Sequence, residues 1–314
     1  MTLPARVSRR VSGQLLASLA LVLAMVIWGS AFTVTKAALA EVPPFTLAFL
    51  RFLVAVAVMA PFAVWGRRHE RSGSAIPVRT LALMGLTGIT LEYGAYNLGI
   101  AHTSITNAAL IHGTVPAATF VASAWFLRER VGWKQAVGTA GSMAGVALIV
   151  LAGAGASGAE LSLFGDAMMV VTVVAWVAYT LLGKSVAASQ SGLTSTAVSN
   201  LFGLVFLMPF AAYEVLNGAL TTYSAPAWTA VLYLGVMSSA VGLFLWNFSL
   251  SHVSAVQAGA FVNIEPVVAV AVAVIFMGET VAIGQMAGGA LVLAGVFLVN
   301  QGARRTVASG LTCD

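Results

Sequence analysis

The sequence predicts an all-α polytopic membrane protein: ten transmembrane helices in two inverted five-helix repeats around a central cavity. Three observations carry this expectation. The composition suits hydrocarbon better than water, apolar windows of spanning length recur along the whole chain, and a set of uncommon residues returns halfway along it.

Of the 314 residues, 60% are hydrophobic and 8% charged, and the mean hydropathy is +0.96. A soluble domain carries about 25% charged residues because its surface faces water. The net charge of +5 and pI of about 9.7 come from Lys and Arg in short clusters between apolar runs. That pattern lacks the long basic stripe of a nucleic-acid surface and reads as a set of topology determinants. The single cysteine, Cys313, excludes an internal disulfide and a cysteine metal site.

Windows of about 20 apolar residues suit membrane helices. They fall at 14–36, 45–66, 79–101, 105–127, 133–153, 162–184, 194–213, 226–249, 255–277 and 281–300. Turn or charge signals separate them: Glu41-Val42-Pro43-Pro44, Arg67 to Arg71, Arg128-Glu129-Arg130, Gly153 to Gly158, Gln190-Ser191-Gly192 and Asn217-Gly218. In the first window, Arg6, Arg9 and Arg10 precede an apolar run and Ala38-Leu39-Ala40 follows it, as in a secretory signal. The run from Leu15 to about Val34 exceeds the roughly 7–15 residues of a signal core, so it reads as an uncleaved span. Helices rather than barrel strands follow from the length of the windows and the lack of polar–apolar alternation.

Lys and Arg in short loops set orientation. With the N-terminus inside, the inner segments hold Arg6, Arg9, Arg10, Arg67, Arg68, Arg71, Arg79, Arg128, Arg130, Lys134, Lys184, Arg304 and Arg305, and the outer loops hold none. Lys36 and Arg51 lie within spans near their outer ends. Both termini are therefore expected in the cytoplasm, in a bacterial-type inner membrane.

Trp28, Lys36 and Pro61 match Trp176, Lys184 and Pro209, each pair 148 positions apart. After a short indel the offset becomes 150. Asn97, His102, Ser104, Ala108, Pro116, Glu129, Gln135, Gly138 and Gly145 then match Asn247, His252, Ser254, Ala258, Pro266, Glu279, Gln285, Gly288 and Gly295. The division is residues 1–153 and 154–314. Five spans per half make the second copy enter from the opposite side, an inverted repeat of the kind that places a transport site between the halves.

Trp28-Gly29-Ser30-Ala31-Phe32 with Lys36, Arg51 within Leu47 to Leu53, and then Pro116, Glu129, Gly138 and Gly145 with their second copies resemble the drug/metabolite transporter superfamily in its ten-span EamA-like branch. The similarity covers about residues 15–300. The second copy is partial, with Ser199 opposite Arg51 and Val177 opposite Gly29. Within the branch the chain is similar to amino-acid and metabolite exporters, the aromatic amino-acid type in particular. The resemblance implies a cavity lined by spans one to four and six to nine, with five and ten peripheral. The expected function is secondary transport of small metabolites such as amino acids, with export as the direction and alternating access as the mechanism.

Ionisable residues inside spans are expensive and mark candidate sites. Glu92 and Tyr96 share a helix face, with Tyr93 and Asn97 beside them. They form either a cavity wall for a polar, partly aromatic solute or a wall in which Glu92 pairs structurally with Arg51. His112 stands one turn before Pro116, and either bonds a neighbouring helix or handles a proton. Glu265 precedes Pro266, with Asn263 nearby, where a broken backbone ladder turns polar groups toward a cavity or satisfies them locally. Trp28, Tyr93, Tyr96, Trp176, Tyr179 and Trp246 are deep enough to reach a cavity. Trp65, Trp125, Trp133 and Trp228 suit the membrane interface. Pro116 and Pro266 are candidate hinges, Lys36 is expected to snorkel outward, and Glu129 and Glu279 to cap or pair in loops. Glycines on spans five and ten suit close helix packing.

No H-E-x-x-H, G-x-S-x-G or Cys/His pairing supports an intramembrane enzyme, and no ring of repeated polar residues supports a channel. No cofactor or metal is expected. The partners are a small-molecule solute and the bilayer, without nucleic acid, and the chain is expected as a monomer with a dimer as the alternative. A reporter fused after Gly302 should be active only when its activity requires the cytoplasm; a periplasmic C-terminus would remove both the even span count and the inversion.

Overall fold

A computed structural model describes residues 5–69, 77–103, 108, 111–129, 131–153, 163–219, 222–277 and 283–310. Ser104, Glu279, Arg130, Cys313 and the loop at 154–158 lie outside the described residues. The described residues form ten helical rods without strands, close to the ten apolar windows. Span one is Ala5–Ala38, span two Pro44–His69, span five Trp133–Gly153, span six Leu163–Val186 and span ten Ile283–Gly310. Spans three (78–102), seven (192–219) and eight (225–250) each include a π-helical stretch, and spans four and nine are broken in the middle.

Consecutive rods run antiparallel, so one end of the bundle holds the start of span one and the end of span ten (the terminus end) and the other holds the turns after spans one and seven (the distal end). Bonds between elements far apart in sequence agree. At the distal end Ser224 donates from N and Oγ to Glu41, at 3.0 and 2.7 Å, and these bonds hold the Glu41 carboxyl below the usual carboxylate range. Also there, Glu214 accepts from the N–H groups of Phe45 and Thr46, capping span two. At the terminus end, Glu129 accepts from the N–H groups of Ala255 and Val256 at 2.9 and 3.4 Å, capping span nine. Both carboxylates meet the unsatisfied amides of a helix start, where the helix dipole favours negative charge.

Among the described residues, Gly13–Ala38, Pro44–Trp65, Leu163–Val186, Gly192–Gly218 and Ala225–Leu250 are single helical segments long and apolar enough to cross a membrane. Large apolar side chains on the bundle surface, such as Leu19, Val121, Phe126 and Phe297, are exposed, as a lipid-facing surface requires. Trp65, Trp125, Trp133 and Trp228 are exposed as well and lie near rod ends.

The irregularities of spans three, four, eight and nine are repeat mates, whereas the π-stretch Val215–Ala219 of span seven has no counterpart in span two. The π-stretch Leu86–Leu91 corresponds, at offset 150, to part of Leu234–Gly242, and the break at Gly113 and Thr114 corresponds to Asn263. The expected mid-helix bend at Pro116 and Pro266 is instead a break that precedes each proline. Helices restart at Val115 and Ile264, so each proline stands in a first turn. Amides there have no partner within the helix, and a proline costs the ladder nothing. Thr114 mends the first break by donating from both N and Oγ1 to the Ile111 carbonyl.

Spans five and ten pack backbone to backbone. A Cβ added at Gly138 would fall 2.6 Å from the Gly295 carbonyl oxygen, and one at Gly145 would fall 2.7 Å from that of Gly288, with the reverse contacts equally close. Gly141, one position off this seam, has nothing within 4 Å. Gly145→Ala or Gly288→Ala should therefore cost about 1–3 kcal/mol by forcing the helices apart, read as a lower melting temperature in detergent. Gly141→Ala should be neutral or slightly stabilising, through helix propensity.

Candidate functional site

A cavity of about 60 Å³ lies between the halves, lined by Trp28, Ala31 and Thr35 of span one, Arg51 of span two, and Glu92, Tyr93 and Tyr96 of span three. His112 of span four, Trp176 of span six, Ser238 of span eight and Glu265 of span nine complete its wall. Spans five, seven and ten contribute none of these lining residues. By depth along the rods, Trp28, Trp176, Ser238 and Glu265 stand near mid-span. Thr35, Arg51, Tyr96 and His112 stand nearer the distal end, so the cavity occupies the distal half of the bundle. Its volume suffices for a few water molecules.

The floor is aromatic. Trp28 and Trp176, repeat mates, meet edge to face with ring centroids 5.2 Å apart, and Trp246 packs beneath both at 5.8 and 5.0 Å. The Trp28 indole N–H donates to the Ser238 carbonyl at 3.1 Å. Gly242 makes room for that indole, since a Cβ there would fall 2.5 Å from Trp28 Nε1.

The distal wall is charged. Arg51 is 2% exposed. Its Nε donates to Ser239 Oγ at 2.8 Å and its Nη2 to Ser238 Oγ at 2.7 Å. The guanidinium lies 4.3 Å from the Tyr93 ring centroid, in cation–π range. A buried cation needs partners on every side, and two hydroxyls with one π-face supply part of that need. The serines stand in the π-stretch of span eight, whose widened turn brings successive residues 238 and 239 to one guanidinium. Glu92 begins the α-helix that follows the π-stretch of span three. Its Oε2 is buried without a hydrogen-bond partner, so the direct pair with Arg51 considered from the sequence is not made through that oxygen.

Of the residues the sequence nominated, Trp28, Glu92, Tyr93, Tyr96, His112, Trp176 and Glu265 therefore meet at one cavity. Asn97, Tyr179, Trp246 and Asn263 lie behind its wall. Asn97 donates to the Pro44 carbonyl at 2.8 Å and holds the start of span two. The Tyr179 hydroxyl accepts from Asn247 Nδ2 at 2.6 Å, in a fully buried network with Thr196. Asn263, at the break in span nine, donates to Ser142 Oγ of span five at 2.9 Å. Sequence reasoning did not nominate Ala31, Thr35 or Ser238 as lining residues, and it marked Arg51 only as an ionisable residue within a span and a partner for Glu92. The spacing 28, 31, 35 puts the first two on the face of Trp28, a signal available in the sequence. Nothing in the sequence marks Ser238 off from other membrane serines. Among the described residues no group of three His, Cys, Asp or Glu could hold a metal.

The sequence profile of the EamA-like transporter family matches residues 15–151 and again 163–301. A transporter of Archaeoglobus fulgidus is 30% identical over 280 residues, covering 89% of this chain and 96% of its own length. A probable terminal-alkyne amino-acid exporter of Streptantibioticus cattleyicolor is 32% identical over 288 residues, covering 92% and 93%. A solved crystal structure superposes with a TM-score of 0.76 over 92% of this chain and 98% of its own, at 20% identity, and so shares the fold.

Replacing Ser238 and Ser239 together by Ala should cost about 2–4 kcal/mol, because the Arg51 cation loses two buried acceptors. Unfolding in detergent measures it. Adding Arg51→Met should restore part of the loss by removing the uncompensated charge. No recovery would mean that the serines act through packing alone.

Proposed function

Because this chain belongs to the EamA-like transporter family, we propose that it is a secondary carrier exporting small amino-acid-like metabolites across the inner membrane by alternating access. The observation that carries this reading is the cavity between the halves, where Arg51, Glu92 and Glu265 share one wall with the tryptophan floor. Arg51 spends only Nε and Nη2 on its serines, which leaves guanidinium donors for a solute carboxylate in the fork geometry that suits it. Two acids stand against that one base, and a solute ammonium balances the excess. The Trp28 and Trp176 rings suit an apolar or aromatic side chain. The exporter relative from Streptantibioticus cattleyicolor, named for an amino acid, supports that solute class.

The cavity described holds a few waters, and entry of a solute goes with a parting of its walls. The breaks before Pro116 and Pro266 supply matched points for that motion, one in each half. Both termini lie in the cytoplasm in this reading, which follows the Lys/Arg bias, and the distal half of the bundle, with its cavity, then faces outward.

Counterflow in proteoliposomes against a panel of amino acids and aromatic metabolites tests the solute class. Glu92→Gln and Glu265→Gln should each lower counterflow about tenfold or more, the loss of a charge-assisted bond. Glu41→Gln, an exposed carboxylate outside the cavity, should stay within about twofold at equal expression. Full activity in both mid-span variants would remove these acids from the site.

A further inference from the structure

Lys36 and Lys184 are repeat mates, 148 positions apart, and the two copies are engaged differently. Lys184, in the last turn of span six, donates through Nζ to the carbonyls of Leu250 at 2.8 Å and Val253 at 2.6 Å. These bonds tie spans six and eight together at the terminus end. The mates of the two acceptors, at offset 150, are Ile100 and Thr103 at the distal end of span three.

That distal helix end has the same local build. The Thr103 N–H donates to the Gly99 carbonyl at 2.8 Å, as the Val253 N–H does to its mate Ser249 at 3.0 Å. The His102 Nδ1 lies 2.9 Å from the Leu98 carbonyl, as His252 Nδ1 lies 3.1 Å from that of Phe248. The helix end that offers Lys184 its acceptors therefore has a counterpart in the first copy, where the α-helix runs on to His102 instead of ending at Leu250. Lys36 itself is exposed, with no hydrogen bond or ion pair to any described residue. Its neighbour Thr35 lines the cavity, so Lys36 stands at the distal mouth.

We propose that Lys36 and Lys184 are alternating latches of the carrier. Lys184 holds the terminus end shut in the conformation described, and Lys36 takes the Ile100 and Thr103 carbonyls when the distal end shuts and the terminus end opens. The proposal rests on the alternating-access reading and adds two positioning residues that act through helix ends. A carrier needs its two states close in energy, and exchanging one pair of ammonium–carbonyl bonds for an equivalent pair keeps them close. Simple snorkelling of Lys36 into the headgroups gives it no part in that balance.

The test uses a Cys313→Ser, Ala31→Cys chain in oriented proteoliposomes, with a membrane-impermeant thiol reagent applied to either face. The cavity cysteine should label mainly from the distal side. Lys184→Gln should lower distal labelling and raise labelling from the terminus side by about tenfold, the worth of a charge-assisted bond. Lys36→Gln should lower terminus-side labelling by a similar factor and leave distal labelling high. Lys36 is exposed, so its variant tests the idea even if Lys184→Gln fails to fold. Shifts in the same direction, or no shift in a Lys36→Gln protein that melts like its parent, would overturn the latches. Opposite shifts without any amino-acid counterflow would leave the latches standing and remove the solute reading. Counterflow without opposite shifts would do the reverse.

Discussion

In hydrocarbon every backbone amide needs a partner from the protein itself, and the rest of this structure depends on that constraint. Regular helix satisfies it at no cost in design, so departures from regular helix must be mended locally. Those around the cavity come in pairs, a π-stretch in spans three and eight and a break in spans four and nine, while the π-stretch that ends span seven stands alone. Each is mended by means at hand. Thr114 bonds back to Ile111, Asn263 reaches Ser142, and the prolines stand where no amide is missed. The cavity lies where these four irregular places converge. A wide helical turn is what lets Ser238 and Ser239 grip one guanidinium, and what sets Glu92 at the start of a new helical segment.

Duplication built this scaffold, and divergence built its chemistry. The tryptophans of the floor, the π-stretches of spans three and eight, the breaks and the glycine seam of spans five and ten occur in both copies. The ionisable lining residues do not. Opposite Arg51, Glu92, His112 and Glu265 the other copy has Ser199, Gly242, Val262 and Val115. A symmetric bundle can supply two equivalent conformations, yet the amino-acid-like solute proposed above, with distinct carboxylate and ammonium ends, would need an asymmetric wall. The charges are placed where they give that asymmetry without disturbing the repeated frame. Gly242 shows the two demands meeting at one position: as the mate of Glu92 it carries no charge, and as a glycine it admits the Trp28 indole.

How much of this was legible in the sequence follows from which physical quantity each feature reports. Rod number rests on hydropathy and length, and it read directly. The glycine seam rests on spacing along two helices and read equally well. Which side chains meet at the cavity depends on the rotation of each helix about its axis, which sequence spacing constrains only within a helix. Glu92 and Tyr96 were rightly placed on one face. Asn97, one residue further round, turns instead to the Pro44 carbonyl. Trp246 is the repeat mate of Tyr96 by position, but it lies beneath the floor because the terminus half of the bundle is closed around it. The prolines marked the right places and suggested the wrong local geometry, since a proline can end one helix or begin another and its neighbours decide which.

The two carboxylate caps bear on how the halves would stay joined in the alternating-access motion proposed above. Glu214, from the second half, caps span two at the distal end, and Glu129, from the first half, caps span nine at the terminus end. They are not repeat mates: the position opposite Glu214 is Gly66 and the position opposite Glu129 is Glu279. A contact present once, without a symmetric counterpart, cannot be exchanged for an equivalent when the bundle inverts. The Glu214 cap is of that kind, so it either survives the motion or biases the equilibrium by its whole worth. Persistence suits it, because spans two and seven pack closely side by side and move most cheaply as one body. The Glu129 cap has a mate in sequence, Glu279, and so is of the kind that an inversion of the bundle could exchange. On the alternating-access reading proposed above, the moving surfaces are those where the repeat is exact in sequence, and the fixed surfaces are those where the copies have diverged.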